Sequence, residues 1–133
     1  MTTTLLQLSL ALITLVGDYN LYSFPQKEEG VVQVKHEVYV IVFTAEWCNP
    51  CKRQKSNLYP SLSKSGYSIG LTPRHVVRIC DVDANEEFAK RFKIKSVPTW
   101  VLIVKGFEKS RLEGEITTVK GFQKFSGLYP KRE

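Results

Sequence analysis

Two cysteines separated by two residues form the most reactive pattern in this sequence. Cys48 and Cys51 occur in "AEWCNPCK", residues 45–52, directly after an apolar run. Such a pair can serve as a redox couple, as half of a zinc site, or as two inert buried thiols. Zinc needs four ligands, and the remaining cysteine and both histidines are scattered, without a second ligand pair at metal spacing. The pattern therefore favours a redox couple and predicts no metal and no bound cofactor.

The residues around the pair predict a junction between a strand and a helix. "VYVIVFT" (Val38–Thr44) is β-branched and aromatic throughout, which is typical of a strand buried on both faces. Between the cysteines, Pro50 suits the first turn of a helix and stiffens the segment, while Asn49 adds a polar side chain near the sulfurs. We expect this helix to reach about Lys64, with a bend at Pro60.

A thiol at the start of a helix ionises more readily than a free one. The unpaired N–H groups and the helix dipole both favour its thiolate form. Lys52 and Arg53 add positive charge nearby. We therefore expect Cys48 to be the exposed nucleophile that attacks a substrate disulfide. Cys51, one turn later, would resolve the mixed disulfide.

The remaining patterns alternate between strands and helices. A weak strand pattern precedes the first buried strand, and a β-hairpin with a turn at Lys105–Gly106 comes late in the chain. This order predicts an α/β fold with a central mixed β-sheet flanked by helices on both faces. The further elements are strands at 31–35, 75–82, 99–104 and 107–113 and helices at 84–92 and 117–129.

The length of 133 residues fits one domain with a single core. We assign that domain to residues 18–133 and treat residues 1–17 as a separate apolar segment. Its run Leu5–Val16 has the length of a signal core, but no Lys or Arg precedes it. A signal, a membrane anchor and an extra helix all remain open. The cytoplasm is slightly favoured over export or membrane attachment.

The net charge of +6 is unevenly distributed along the chain. From residue 48 onward there are 17 Lys and Arg residues against 8 Asp and Glu residues. A basic surface attracts acidic protein partners, and an ordinary solvated face that keeps the protein soluble is the favoured alternative. No nucleic-acid recognition motif accompanies the charge. We expect a monomer.

Three separated motifs, in this order, resemble the thioredoxin family. "AEWCNPCK" resembles the active-site motif W-C-G-P-C-K, with Asn49 in place of glycine. "FKIKSVPT" (92–99) resembles the segment carrying the cis-proline, and "KGFEKSRLEG" (105–114) resembles the hairpin beside the active site. The resemblance covers about residues 31–128 and implies a thioredoxin-like fold. It implies that Trp47, Val97, cis-Pro98 and Gly114 border the two cysteines. Together with Asn49 and Pro50, these residues are expected to contact an extended substrate strand.

The sequence departs from the family pattern behind the motif. Many thioredoxins have a buried Asp six residues before the first cysteine, where this chain has Val42. The Lys that often pairs with it corresponds to Ile79, and Ser56 stands near the usual helix proline. These changes argue against fast proton transfer to Cys51. The loop 65–74 is longer than usual, and we expect Cys80, within an apolar strand, to be a buried inert thiol.

The resemblance implies a thiol–disulfide oxidoreductase acting on protein disulfides, supplied with electrons by an upstream dithiol reductant. The alternative is a binding or adaptor subunit, such as a processivity factor, whose redox activity is weak or dispensable. A membrane tether through residues 5–16 is a third possibility.

Overall fold

A mixed β-sheet forms the centre of the structure, a computed structural model that describes residues 37–130. Within these residues the sheet has five strands in the order β2-β3-β1-β4-β5. β1 and β2 both run parallel to β3, whereas β4 is antiparallel to β1 and β5. The strands are β1 (Val38–Thr44), β2 (Ile69–Gly70), β3 (Val77–Asp81), β4 (Thr99–Val104) and β5 (Phe107–Glu113).

One long helical stretch follows β1 and changes its hydrogen-bond register midway. It consists of α1 (Asn49–Arg53), a π-helical stretch (Gln54–Leu58) and α2 (Tyr59–Lys64). The N–H of Tyr59 donates to the carbonyl of Gln54, five residues back. Pro60 has no N–H to donate, and its ring excludes the ordinary α-helical contact with the preceding turn. The helical stretch reaches Lys64, as predicted, and a π-helical stretch lies just before Pro60. The bend at Pro60 stays a prediction.

Helices cover both faces of the sheet, which confirms the predicted fold class. The remaining helices are α3 (Glu86–Arg91) and α4 (Val119–Ser126). On one face, Leu58, Leu62 and Phe122 from the long helical stretch and α4 pack on strand residues such as Val40. On the other face, α3 contributes a buried cluster with the strands, which includes Phe43, Phe88 and Phe92.

Two elements differ from the sequence prediction. The final helix is shorter than expected, because the Thr118 hydroxyl caps its start by accepting from Gly121 N, and Gly127 ends it with φ of 70°. The short strand β2 lies inside the loop 65–74 and was not predicted. The predicted hairpin turn is confirmed, with positive φ at both Lys105 and Gly106.

Several predictions concern residues that the structure does not describe. The strand predicted at 31–35 and the apolar segment 1–17 lie outside residues 37–130. Among the described helices, none has the length and apolar character needed to span a bilayer.

Candidate active site

Cys48 and Cys51 form a disulfide at the start of α1. Cys48 is the residue that caps the helix, with extended backbone angles of φ −90° and ψ 114°. Its sulfur accepts a hydrogen bond from the N–H of Cys51 at 3.3 Å. An N–H group directed at this sulfur stabilises negative charge on it. The predicted junction between a buried strand and a helix therefore exists, and it places Cys48 where a thiolate is favoured.

Both cysteines are more enclosed than expected. Cys48 is 5% exposed and Cys51 is 2% exposed, so the expectation that Cys48 stands exposed is wrong for this disulfide state. The pair packs with Ala45 and against the partly buried side chains of Val82 and Val97. These apolar neighbours cover much of the disulfide.

The segment around Pro98 lies against Cys48, although the two are far apart in sequence. The Val97–Pro98 peptide bond is cis, as the resemblance implies. The sulfur of Cys48 lies 3.5 Å from the carbonyl oxygen of Val97. Gly114 is held beside them, because its N–H donates to the carbonyl of Pro98 at 2.8 Å. The fold thus brings Cys48, Val97, Pro98 and Gly114 together, while their substrate-binding roles stay predictions.

Trp47 stands at the surface next to the disulfide. Its side chain is 67% exposed, and its indole Nε1 donates to Asp83 Oδ2 at 2.9 Å. Asp83 follows β3 in a turn that Asp81 caps by accepting from the N–H groups of Asp83 and Ala84. Sequence reasoning missed Asp83 as a partner of Trp47. Its position in the sequence could have indicated this contact. Asp83 comes just after the carboxyl end of β3, the strand beside β1, and Trp47 comes just after β1.

The basic residues of α1 differ in how they affect the site. Arg53 donates to both carboxylate oxygens of Glu115, the shortest contact being 2.9 Å. This hydrogen-bonded ion pair raises the pKa of Arg53 and balances its charge. Lys52 and Asn49 are exposed beside the cysteines. Of the two predicted cations, Lys52 is therefore the better placed to stabilise a thiolate electrostatically.

The positions behind the motif are apolar, as the sequence indicates. Val42 is fully buried, and its Cα is paired with that of Ile79 on β3. Tyr59 belongs to the same buried cluster as Val42, and burial raises its pKa to about 12. A phenol with that pKa stays protonated at neutral pH and cannot act as a base. Neither Val42 nor Ile79 offers a proton acceptor for Cys51.

Cys80 is fully buried and free, in agreement with the sequence prediction. Burial, and secondarily the charge of Asp81, raise the pKa of its thiol to about 12. A thiol of this kind is a poor nucleophile. Across residues 37–130, no three His, Cys, Asp or Glu side chains are grouped in a way that would hold a metal ion.

Comparisons with known proteins agree with this geometry. The family model described as Thioredoxin matches residues 23–125. Thioredoxin 2 of Plasmodium berghei is 39% identical over 54% of this chain and 42% of its own length. The thioredoxin of Mycoplasma pneumoniae is 33% identical over 71% of this chain and 85% of its own length. The chain thus spans less than half of the first relative and most of the second.

A solved structure gives the same result. Thioredoxin-2, a component of malaria parasite protein secretion machinery, superposes with a TM-score of 0.52 at 26% identity. The match covers 70% of this chain and 89% of the other. Fold, motif positions and family match agree, and the chain belongs to the thioredoxin family.

Proposed function

We propose that this chain is a protein thiol–disulfide oxidoreductase that uses Cys48 and Cys51. The observation that carries the proposal is the disulfide at a helix start, with the Val97 carbonyl 3.5 Å from the Cys48 sulfur. Membership of the thioredoxin family supports the same chemistry. Protein disulfides are the substrates, and a dithiol reductant supplies the electrons.

The reaction proceeds in two exchanges that balance electrons and sulfur bonds. The Cys48 thiolate attacks one sulfur of the substrate disulfide, forms a mixed disulfide and releases the other sulfur as a thiolate. Cys51 then loses its proton and attacks the Cys48 sulfur, releasing the second substrate thiol. The substrate gains two electrons, and the chain ends with the Cys48–Cys51 disulfide. An upstream dithiol reduces that disulfide and completes the cycle.

Reduction of insulin by dithiothreitol tests this proposal. We expect the chain to accelerate precipitation of the insulin B chain, and we expect Cys48→Ser to abolish the acceleration. Cys80→Ala is the matched control, because it removes a thiol that is fully buried and lies outside the site. The proposal fails if the unchanged chain gives no acceleration, or if Cys48→Ser remains as active as Cys80→Ala.

We further propose that preferred clients carry acidic residues near the reacting disulfide. Lys52 follows Cys51 directly, and Lys93 and Lys95 lie in the loop that leads to Pro98; all three are exposed. Their attraction to an acidic client weakens with salt, because exposed charges are screened. We expect kcat/KM for an acidic peptide disulfide to fall between 20 and 300 mM NaCl, and kcat/KM for a neutral analogue to stay constant. Equal salt dependence for both peptides would exclude this preference.

The adaptor role is a second candidate. It is supported by the similarity to thioredoxin-2, which is itself a component of a protein secretion machinery. An adaptor would keep its biological function in a Cys48→Ser/Cys51→Ser double variant, and complementation in the native source would reveal this. Loss of function in the double variant favours the oxidoreductase.

The cytoplasm remains our slightly preferred location, and a tether through residues 5–16 is the competing proposal. Fractionation of cells that express the full chain, followed by alkaline extraction of membranes, separates the two. Recovery in the soluble fraction supports the cytoplasmic proposal. Retention in extracted membranes supports the tether.

A further inference from the structure

Gln54 is a polar side chain enclosed in the core behind the cysteines. It is 1% exposed and lies three residues after Cys51, on the same helical stretch. Its Oε1 accepts two hydrogen bonds, from the indole Nε1 of Trp100 at 3.0 Å and from the N–H of Ile116 at 2.8 Å. Because both partners are donors, the oxygen must face them, and the amide orientation is determined.

The two donors belong to the segments that border the site. Trp100 lies two residues after Pro98 on β4, and Ile116 lies two residues after Gly114. Pro98 and Gly114 are themselves joined by a backbone hydrogen bond of 2.8 Å. One amide oxygen therefore ties together the helix that carries Cys51, the strand after Pro98 and the segment after Gly114.

A second contact parallels this arrangement at the surface. Arg53, the neighbour of Gln54, pairs with Glu115, the neighbour of Ile116, at 2.9 Å. Two consecutive helix residues thus bind two consecutive residues of the segment after Gly114. Arg53 binds Glu115 at the surface, and Gln54 binds Ile116 in the core. The exposed pair contributes little because solvent screens it, whereas the contact of Gln54 is buried.

The other half of the Gln54 amide is poorly satisfied. Its Nε2 and the hydroxyl of Tyr59 are both buried, and neither makes a hydrogen bond of good geometry. Burial raises the pKa of Tyr59, and only a weak contact with the Gln54 side chain acts in the opposite direction. A buried donor without a partner is destabilising. A contribution to core stability alone therefore does not explain why an amide side chain is buried at position 54. Its clear structural contribution is the alignment of three segments.

We propose that Gln54 is a positioning residue that aligns Pro98 and Gly114 with the cysteine pair, and so determines how well an extended protein substrate fits. This inference rests on the proposed oxidoreductase function. Gln54 itself is enclosed and contacts no substrate. A small disulfide needs only the Cys48 sulfur, whereas an extended chain must also fit against Val97, Pro98 and Gly114. Misalignment should therefore slow reaction with proteins more than with small disulfides.

The test compares two second-order rate constants of the prereduced chain, one with insulin and one with hydroxyethyl disulfide. In Gln54→Leu, which removes the acceptor, we expect the ratio of insulin to small-disulfide rates to fall about three- to tenfold, the equivalent of roughly one lost hydrogen bond. Trp100→Phe removes one donor and leaves Gln54 in place, so it should lower the ratio in the same direction. A residue that only stabilises the fold would leave this ratio unchanged.

Tyr59→Phe is the matched control. It alters a buried neighbour of Gln54 and leaves the Oε1 contacts intact, so the ratio should stay as in the unchanged chain. An unchanged ratio in Gln54→Leu overturns the inference; if that variant does not fold, Trp100→Phe decides in its place. Reaction of the unchanged chain with neither disulfide would instead overturn the proposed function, and the inference with it.

Discussion

The Cys48 sulfur and the Val97 carbonyl oxygen lie 3.5 Å apart, across 49 positions of sequence. This contact places the side chain of Val97, which packs against the cysteine pair, within the local environment of the nucleophile. A charge at position 97 should therefore act directly on the Cys48 thiolate.

In Val97→Glu, we expect the pKa of Cys48 to rise by roughly one unit, because a nearby negative charge disfavours the thiolate. The pH dependence of the rate of Cys48 alkylation by iodoacetamide in the reduced chain measures this pKa. Val97→Gln has the same shape without the charge and serves as the control. Coincident pH profiles for the two variants would show that position 97 does not influence the nucleophile.

The hydrogen bond between Trp47 and Asp83 should hold the indole beside the disulfide. Loss of the acceptor in Asp83→Ala should lower kcat/KM for insulin about two- to fivefold, the effect of an exposed hydrogen bond of ~0.5–1 kcal/mol. Asp83→Asn retains an acceptor oxygen and should stay close to the unchanged chain. If both variants behave alike, the contact has no role in positioning Trp47.

Val42 and Ile79, the apolar pair behind the cysteine motif, predict how a carboxylate at position 42 would affect stability. Val42 is fully buried, so the carboxyl of Val42→Asp would lose hydration and its folded-state pKa would lie above the unfolded value. Stability is then retained below the unfolded pKa of about 4 and lost as the pH rises toward the folded pKa. Urea unfolding should show a loss of about 3 kcal/mol or more at pH 7.5 and a smaller loss at pH 4.

Val42→Asn controls for shape and polarity in this experiment, since its loss of stability should not depend on pH. Adding Ile79→Lys to Val42→Asp should recover part of the loss at pH 7.5, because the two positions are paired across β1 and β3. Equal losses at both pH values for Val42→Asp would contradict the apolar environment assigned to this position.

Alkaline stability tests the two buried groups with raised pKa values. Burial raises the pKa of Cys80 from 9.0 and that of Tyr59 from 10.0, in each case to about 12. The folded state therefore keeps both groups protonated up to a higher pH than the unfolded state does. Their contribution to the free energy of unfolding is complete below about pH 9 and is lost as the pH approaches 12. Urea unfolding of the oxidised chain should show a decline in stability over this range, and Cys80→Ala and Tyr59→Phe should each reduce its slope.

Tyr59→Phe should also change stability at pH 7.5 by no more than about 1 kcal/mol, because the hydroxyl it removes makes no hydrogen bond of good geometry. Tyr129→Phe removes a hydroxyl from a residue that is 70% exposed and should leave the alkaline decline unchanged. A decline that is identical in all variants would mean that other groups cause it.

Local patterns made much of the fold predictable. The β-branched run of β1, the turn at Lys105–Gly106 and the motif at the helix start each depend on a few neighbouring residues. The placement of Pro98 beside Cys48 depends on contacts distant in sequence, and only the family resemblance predicted it. Asp83 and the short strand β2 were missed for the same physical reason, since long-range packing determines their positions.

Gln54 was missed because a polar residue in a helix is usually expected at the surface. Its spacing gave a signal, since Cys51, Gln54, Leu58 and Leu62 are separated by three and four residues and lie on one buried helix face. A glutamine at such a position indicates a buried hydrogen-bond partner. Which partner it has depends on the tertiary fold.

Capture of the mixed disulfide tests whether Cys48 is the attacking thiol. The prereduced Cys51→Ser variant is mixed with a peptide disulfide, and the products are digested without reductant and mapped by mass spectrometry. We predict a peptide adduct on Cys48 that dithiothreitol removes, and no adduct on Cys80, the buried thiol with a pKa near 12. Absence of an adduct on Cys48 in the folded variant, or an equal adduct on Cys80, would contradict the assignment of Cys48 as the nucleophile.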